Sequence, residues 1–227
     1  ALVDAGDNVL IIGPLWPNCA GTVEVMGGEA RAVPLKPDEA GEWHLDMNDI
    51  AAACDDRTRA IYVNSPGNPT GWVMESDQQR ELLDFARERD IYVVSDEVYV
   101  RLIYDRPRAP SFLDLAEPED QVIVVNSFSK TWSMTGWRLG WLIPPPVLGP
   151  VFSKLNEFNV ASPTTFVQHA GVVAMRNGEP FVAEMVERYR RNRDLVFQRL
   201  AGMPRVRLAR PEGAFYAFFA VDGMTDS

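Results

Sequence analysis

Short apolar runs recur along the chain, each bounded by turn-forming residues: Val9 to Ile12, Ala32 to Leu35, Ala60 to Val63, Ile91 to Val94, Val122 to Val125 and Leu139 to Ile143. Continuous apolar runs of this length predict strands buried on both faces. Between several of them lie stretches with helical spacing. The clearest runs from Ser76 to Arg89, where Ser76 is placed to cap the helix and Leu82, Leu83, Phe85 and Ala86 share a face. Strand and helix thus alternate. With right-handed crossovers, that alternation predicts an α/β fold: a three-layer αβα sandwich around a mostly parallel sheet. The Leu139 run follows the Val122 run too soon for a helical crossover, so this one strand is expected to be antiparallel.

From Pro180 to Leu200 the pattern is long, charged and helical, with Phe181, Met185, Tyr189 and Val196 as its expected buried side. Beyond it, Val206 to Leu208 and Gly213 to Val221 read as the first strands of a smaller α+β domain. The expected division is a large domain over residues 1–178, then a linking helix and the start of the smaller domain over 179–227. The chain opens on Ala1 rather than Met and closes on a polar stretch after an apolar run, which reads as a fragment.

Composition narrows the function classes. The 227 residues are 46% hydrophobic and 24% charged, the ordinary balance of a globular chain. A formal net charge of −10 with no basic stripe argues against nucleic acid or an anionic membrane as partner. No apolar run approaches the roughly 20 residues of a bilayer-spanning helix. Cys19 and Cys54 lack the paired spacing of a zinc or redox site, and such sparse use fits the cytoplasm. His44 and His169 have no ligand cluster around them, so no metal is expected.

In an open parallel sheet, ligands bind beyond the carboxyl ends of the strands. The residues there are Trp16 after the first run, Asn68 after the third, Asp96 and Tyr99 after the fourth, and Ser127, Ser129 and Lys130 after the fifth, with Arg138 eight residues on. Each alone has an ordinary structural role as turn former, cap, core aromatic or surface charge. Together they are the groups that pyridoxal 5'-phosphate (PLP) requires. A lysine amine forms a Schiff base, an acid keeps the pyridine nitrogen protonated, an aromatic face stacks on the ring, and hydroxyls with a guanidinium hold phosphate.

Five segments carry a family resemblance: Pro14-Leu15-Trp16-Pro17-Asn18, Asn68-Pro69-Thr70-Gly71, Ser95-Asp96-Glu97-Val98-Tyr99, Ser127-Phe128-Ser129-Lys130 and Thr135-Gly136-Trp137-Arg138-Leu139-Gly140. In this order they resemble the fold-type I, class I/II aminotransferases of the aspartate aminotransferase superfamily, over nearly the whole chain. The resemblance implies that Lys130 holds PLP and shuttles the proton, that Asp96 pairs with the pyridine nitrogen, and that Asn68 and Tyr99 hydrogen-bond the ring oxygen. It also implies that Trp16 stacks on the ring and that Ser127, Arg138 and, more weakly, Ser129 bind phosphate. The implied substrates are an amino acid and a 2-oxo acid, and the implied assembly is a homodimer. Relatives of similar pattern include PLP-dependent Cβ lyases and the aminotransferase-like domains of transcription regulators. Family members further carry a glycine-containing phosphate turn ahead of the matching region and a carboxylate-binding arginine after it.

Overall fold

In the computed structural model, which describes residues 1–224, the six apolar runs become the six strands of one sheet. In chain order the strands are β1 (Asn8–Gly13), β2 (Glu29–Pro34), the short hairpin β3 (Lys36–Pro37) and β4 (Trp43–His44), β5 (Thr58–Asn64), β6 (Tyr92–Asp96), β7 (Val122–Ser127), β8 (Gly140–Ile143), β9 (Val206–Arg207) and β10 (Ala220–Val221). The main sheet has the order β2-β1-β5-β6-β7-β8. Its neighbours are parallel except for β8, which runs antiparallel to β7 with Leu142 opposite Val125.

The helices are α1 (Asn18–Val25), α2 (Met47–Ala53), α3 (Ser76–Arg89), α4 (Phe128–Thr131), α5 (Gly149–Asn159), α6 (Thr165–Asn177) and α7 (Glu179–Leu200). Alternation of side chains along the strands puts one apolar cluster on each face of the sheet. On one face Leu10, Ile12, Val33, Ile61, Val63, Val93 and Val124 pack against Ile50 of α2 and Leu82, Leu83 and Ala86 of α3. On the other, Val9, Ile11 and Ala60 pack against Val23 of α1. This gives the expected αβα layering. None of the helices among the described residues is long and apolar enough to cross a membrane.

Three local expectations are corrected. Ser76 is the first helical residue of α3 rather than its cap; Glu75 holds the N-cap position in extended conformation and turns its carboxylate to Arg106 instead of the helix amides. On α7 the buried residues are Val182 and Arg193, whereas Phe181 and Val196 are exposed and Met185 and Tyr189 are half-buried. Arg193 goes inside because its guanidinium lies over the Tyr104 ring and bonds Asp105 and Asp194. Finally, Gly213 to Val221 is not a continuous strand. Gly213 makes one isolated bridge to Ile103, only Ala220 and Val221 pair with β9, and Phe215 and Tyr216 between them turn onto Tyr99. Aromatic packing has displaced ladder pairing there.

Candidate active site

The sheet delivers its polar residues where β5, β6 and β7 end. Asn64, the last residue of β5, is in register with Asp96, the last residue of β6. The Asn64 side-chain amide donates to the Asp96 carbonyl at 3.0 Å, and its Oδ1 accepts the Asn68 backbone N–H at 2.8 Å. The turn that carries Asn68 is thereby pinned to the strand beside it. Gly71 closes this turn at φ +71°, a conformation that side chains disfavour, and a Cβ there would lie 2.6 Å from the Pro211 Cβ. The Gly71 carbonyl accepts the N–H groups of Glu212 and Gly213 at 3.2 and 3.1 Å, so the turn is joined backbone to backbone to the distant 205–221 segment.

A cavity of about 300 Å³ opens at this edge, within the range of small-ligand pockets. It is lined by Leu15, Trp16, Tyr62, Asn64, Asn68, Asp96, Val98, Tyr99, Lys130 and Tyr216. Five of the predicted site residues therefore meet: Trp16, Asn68, Asp96, Tyr99 and Lys130. Trp16 is 59% exposed, standing at the cavity wall rather than buried in the core. The Lys130 Nζ lies 5.7 Å from the Tyr99 ring centre and 5.8 Å from that of Phe215.

Ser127, Ser129 and Arg138 are not among the lining residues. The Ser127 hydroxyl serves its own backbone, accepting the Ser129 N–H at 3.0 Å and donating to the Leu139 carbonyl at 3.2 Å, which ties the start of α4 to the entry of β8. Ser129 is buried. Arg138, left-handed at φ +52°, donates to the Thr135 carbonyl at 2.9 Å and lines a separate surface hollow with Trp137 and Phe166.

Three polar lining residues, Asn64 described above, Tyr62 and Tyr216, were not among the expected ones. The Tyr62 hydroxyl donates to Asp96 Oδ2 at 2.7 Å, and the Tyr216 hydroxyl is 2.8 Å from that of Tyr99. Burial pushes the Asp96 carboxyl above the usual carboxylate range; the Tyr62 hydroxyl, the Val98 N–H and the charge of Lys130 pull it back. Burial, then the Tyr216 hydroxyl, push the Tyr99 phenol up, with Asn68 acting in the opposite direction, so Tyr99 remains a protonated donor at neutral pH.

This donor set suits PLP on chemical grounds. A largely desolvated carboxylate at the cavity, Asp96, suits a cationic partner, a lysine amine lines the same space, and the Tyr99 phenol and Asn68 amide supply donors beside it.

Comparison with known proteins places the chain in a family. Residues 1–226 match the family model described as aminotransferase class I and II. The chain is 38% identical over 222 residues to an aspartate aminotransferase of Pyrococcus abyssi, covering 96% of this chain and 56% of that protein. It is 37% identical over 216 residues to aromatic-amino-acid aminotransferase 2 of Thermococcus litoralis, covering 93% and 54%. The crystal structure of aspartate aminotransferase from Thermotoga maritima superposes with a TM-score of 0.90 at 32% identity, covering 98% of this chain and 57% of the other. The chain thus spans a little over half the length of these relatives.

Proposed function

Because the chain belongs to the class I and II aminotransferase family, we propose that it forms the cofactor-binding part of a PLP-dependent transaminase that moves an amino group from an amino acid to a 2-oxo acid. The observation that carries this reading is the meeting in one cavity of Asp96, at the end of β6, and Lys130, in α4 just beyond β7, 34 residues apart in sequence. When bound, PLP supplies an electron sink that stabilises the carbanion left by breaking a bond at the substrate Cα. The protein does the rest. Lys130 would hold the cofactor through Nζ, and its free amine would serve as the base that moves the proton at the substrate Cα. Asp96 pairs with the ring nitrogen and keeps it protonated. Tyr99 and Asn68 donate to the ring oxygen, and Trp16 covers the ring face. Ser127, Ser129 and Arg138 are assigned to the phosphate.

The large domain in this reading is residues 1–178, and residues 179–227 are a linking helix and the start of a smaller domain. A homodimer in the cytoplasm belongs to the same proposal. Its support is the row of exposed apolar side chains on β8, α5 and α6, including Leu142, Ile143, Leu155, Phe158 and Phe166, since large apolar patches mark association surfaces.

The test is to add PLP to the complete polypeptide that contains these residues, reduce with borohydride and map the modified lysine by peptide mass spectrometry. An adduct on Lys130 is expected. In Lys130→Ala the adduct is absent and turnover falls by about a thousandfold or more, the scale of a lost acid–base group. An adduct at another lysine, or none, overturns the reading.

A further inference from the structure

Tyr62 stands two residues before the end of β5, in a run that otherwise contributes aliphatic side chains to the core. Side-chain alternation puts it on the same face of β5 as Asn64, and its register partner on β6 is Val94, two residues before Asp96. The phenol ring packs beside Val9, Ile11 and Ala60, while the hydroxyl emerges at the cavity and meets Asp96. We propose that Tyr62 is a positioning residue for Asp96: its hydroxyl, 2.7 Å from Oδ2, holds the carboxylate ionised and oriented toward the cationic ring nitrogen of PLP. This rests on the PLP reading above and extends it to a residue that does not itself touch the reacting atoms.

Both carboxylate oxygens are held, Oδ2 by Tyr62 and Oδ1 by the Val98 N–H at 3.2 Å, so the carboxyl group has little freedom to rotate. Hydrogen bonds from a hydroxyl to an ionised carboxylate are short and among the stronger ones in proteins. The other ionisable groups facing Asp96 are Lys130 of α4, Cys19 of α1 and Tyr99 on the following turn. Lys130 favours the charged carboxylate, but it is also the residue assigned to PLP. Once that amine is committed, Tyr62 and the Val98 N–H are the chain's own remaining donors to the carboxylate, beside the ring nitrogen it would pair with. Burial and the neighbouring Asp96 carboxylate push the Tyr62 phenol far above neutrality, so it donates throughout the working pH range.

The test is Tyr62→Phe in the complete polypeptide, with the dissociation constant of PLP measured across a pH series. Losing a hydrogen bond to a charged group should weaken PLP binding about tenfold near neutral pH. Without the hydroxyl Asp96 accepts a proton more readily, so the loss of affinity on acidification should begin at a higher pH than in the parent. In an Asp96→Asn background the same substitution should change affinity less than twofold. A Tyr62→Phe protein with the parent's affinity and pH profile overturns the inference, as does an equal tenfold loss in the Asp96→Asn background. If the parent itself traps no PLP on Lys130, the reading of the site fails first, and borohydride mapping separates that result from a failure of Tyr62 alone.

Discussion

At the carboxyl ends of β5 and β6 nearly every polar side chain is held by a partner within the chain: Tyr62 by Asp96, Asn64 by the Asn68 turn, Tyr99 by Tyr216. Two strands away β8 presents Leu142 and Ile143, each 40% exposed, and the helices that follow leave Leu155, Phe158 and Phe166 uncovered. One sheet carries both regions. The first is built from residues that the topology brings into register at the ends of neighbouring strands. The second is apolar surface that no other described residue covers. One sheet can thus carry a polar cavity held by internal hydrogen bonds at one place and an apolar face suited to association at another.

The contrast is most strongly tested in the core beneath the first region. Phe112 is fully buried, and its N–H donates to the buried Glu97 carboxylate at 3.1 Å, in the segment that follows β6. Phe112→Ala should lower unfolding stability by about 3–5 kcal/mol in a denaturant titration. A loss below about 1 kcal/mol would mean that this wall is as loosely packed as the β8 face. Arg138 is assigned to phosphate yet lines the separate hollow with Trp137 and Phe166. If the assignment is right, Arg138→Ala weakens PLP binding by about tenfold, and added salt narrows the difference from the parent. Unchanged affinity would give Arg138 to that hollow. The smallest effect belongs to β8: Leu142→Ser should change stability by no more than about 0.5 kcal/mol. It should also reduce self-association measured by sedimentation. A stability loss beyond about 2 kcal/mol would show that Leu142 is covered in solution and the contrast is false.

The sheet was legible in the sequence because its strands are buried on both faces, and such strands appear as unbroken apolar runs. Even the reversal of β8 followed from the short connection after Val125. The site was legible where chemistry sits directly after a run, as with Asn68, Asp96 and Lys130. Tyr62 was hidden because an aromatic inside an apolar run looks like core; pairing the alternation of β5 with that of β6 would have put it on the face that ends in Asp96. Tyr216 left no such trace. It comes from 117 residues beyond Tyr99, on a segment whose aromatic content suggested a strand. The same ambiguity misled the reading of α7, where Arg193 is buried by the Tyr104 ring and two aspartates that sequence spacing does not bring together.

Gly71 has a mechanical consequence. Its carbonyl is shared by the N–H groups of residues 212 and 213, while its own turn carries Asn68 and Tyr216 follows three residues after Gly213, both lining the cavity. A displacement of the 205–221 segment must therefore either break both backbone bonds or drag the Asn68 turn with it. The two lining segments are riveted to each other, and the single position at the rivet has no room for a side chain.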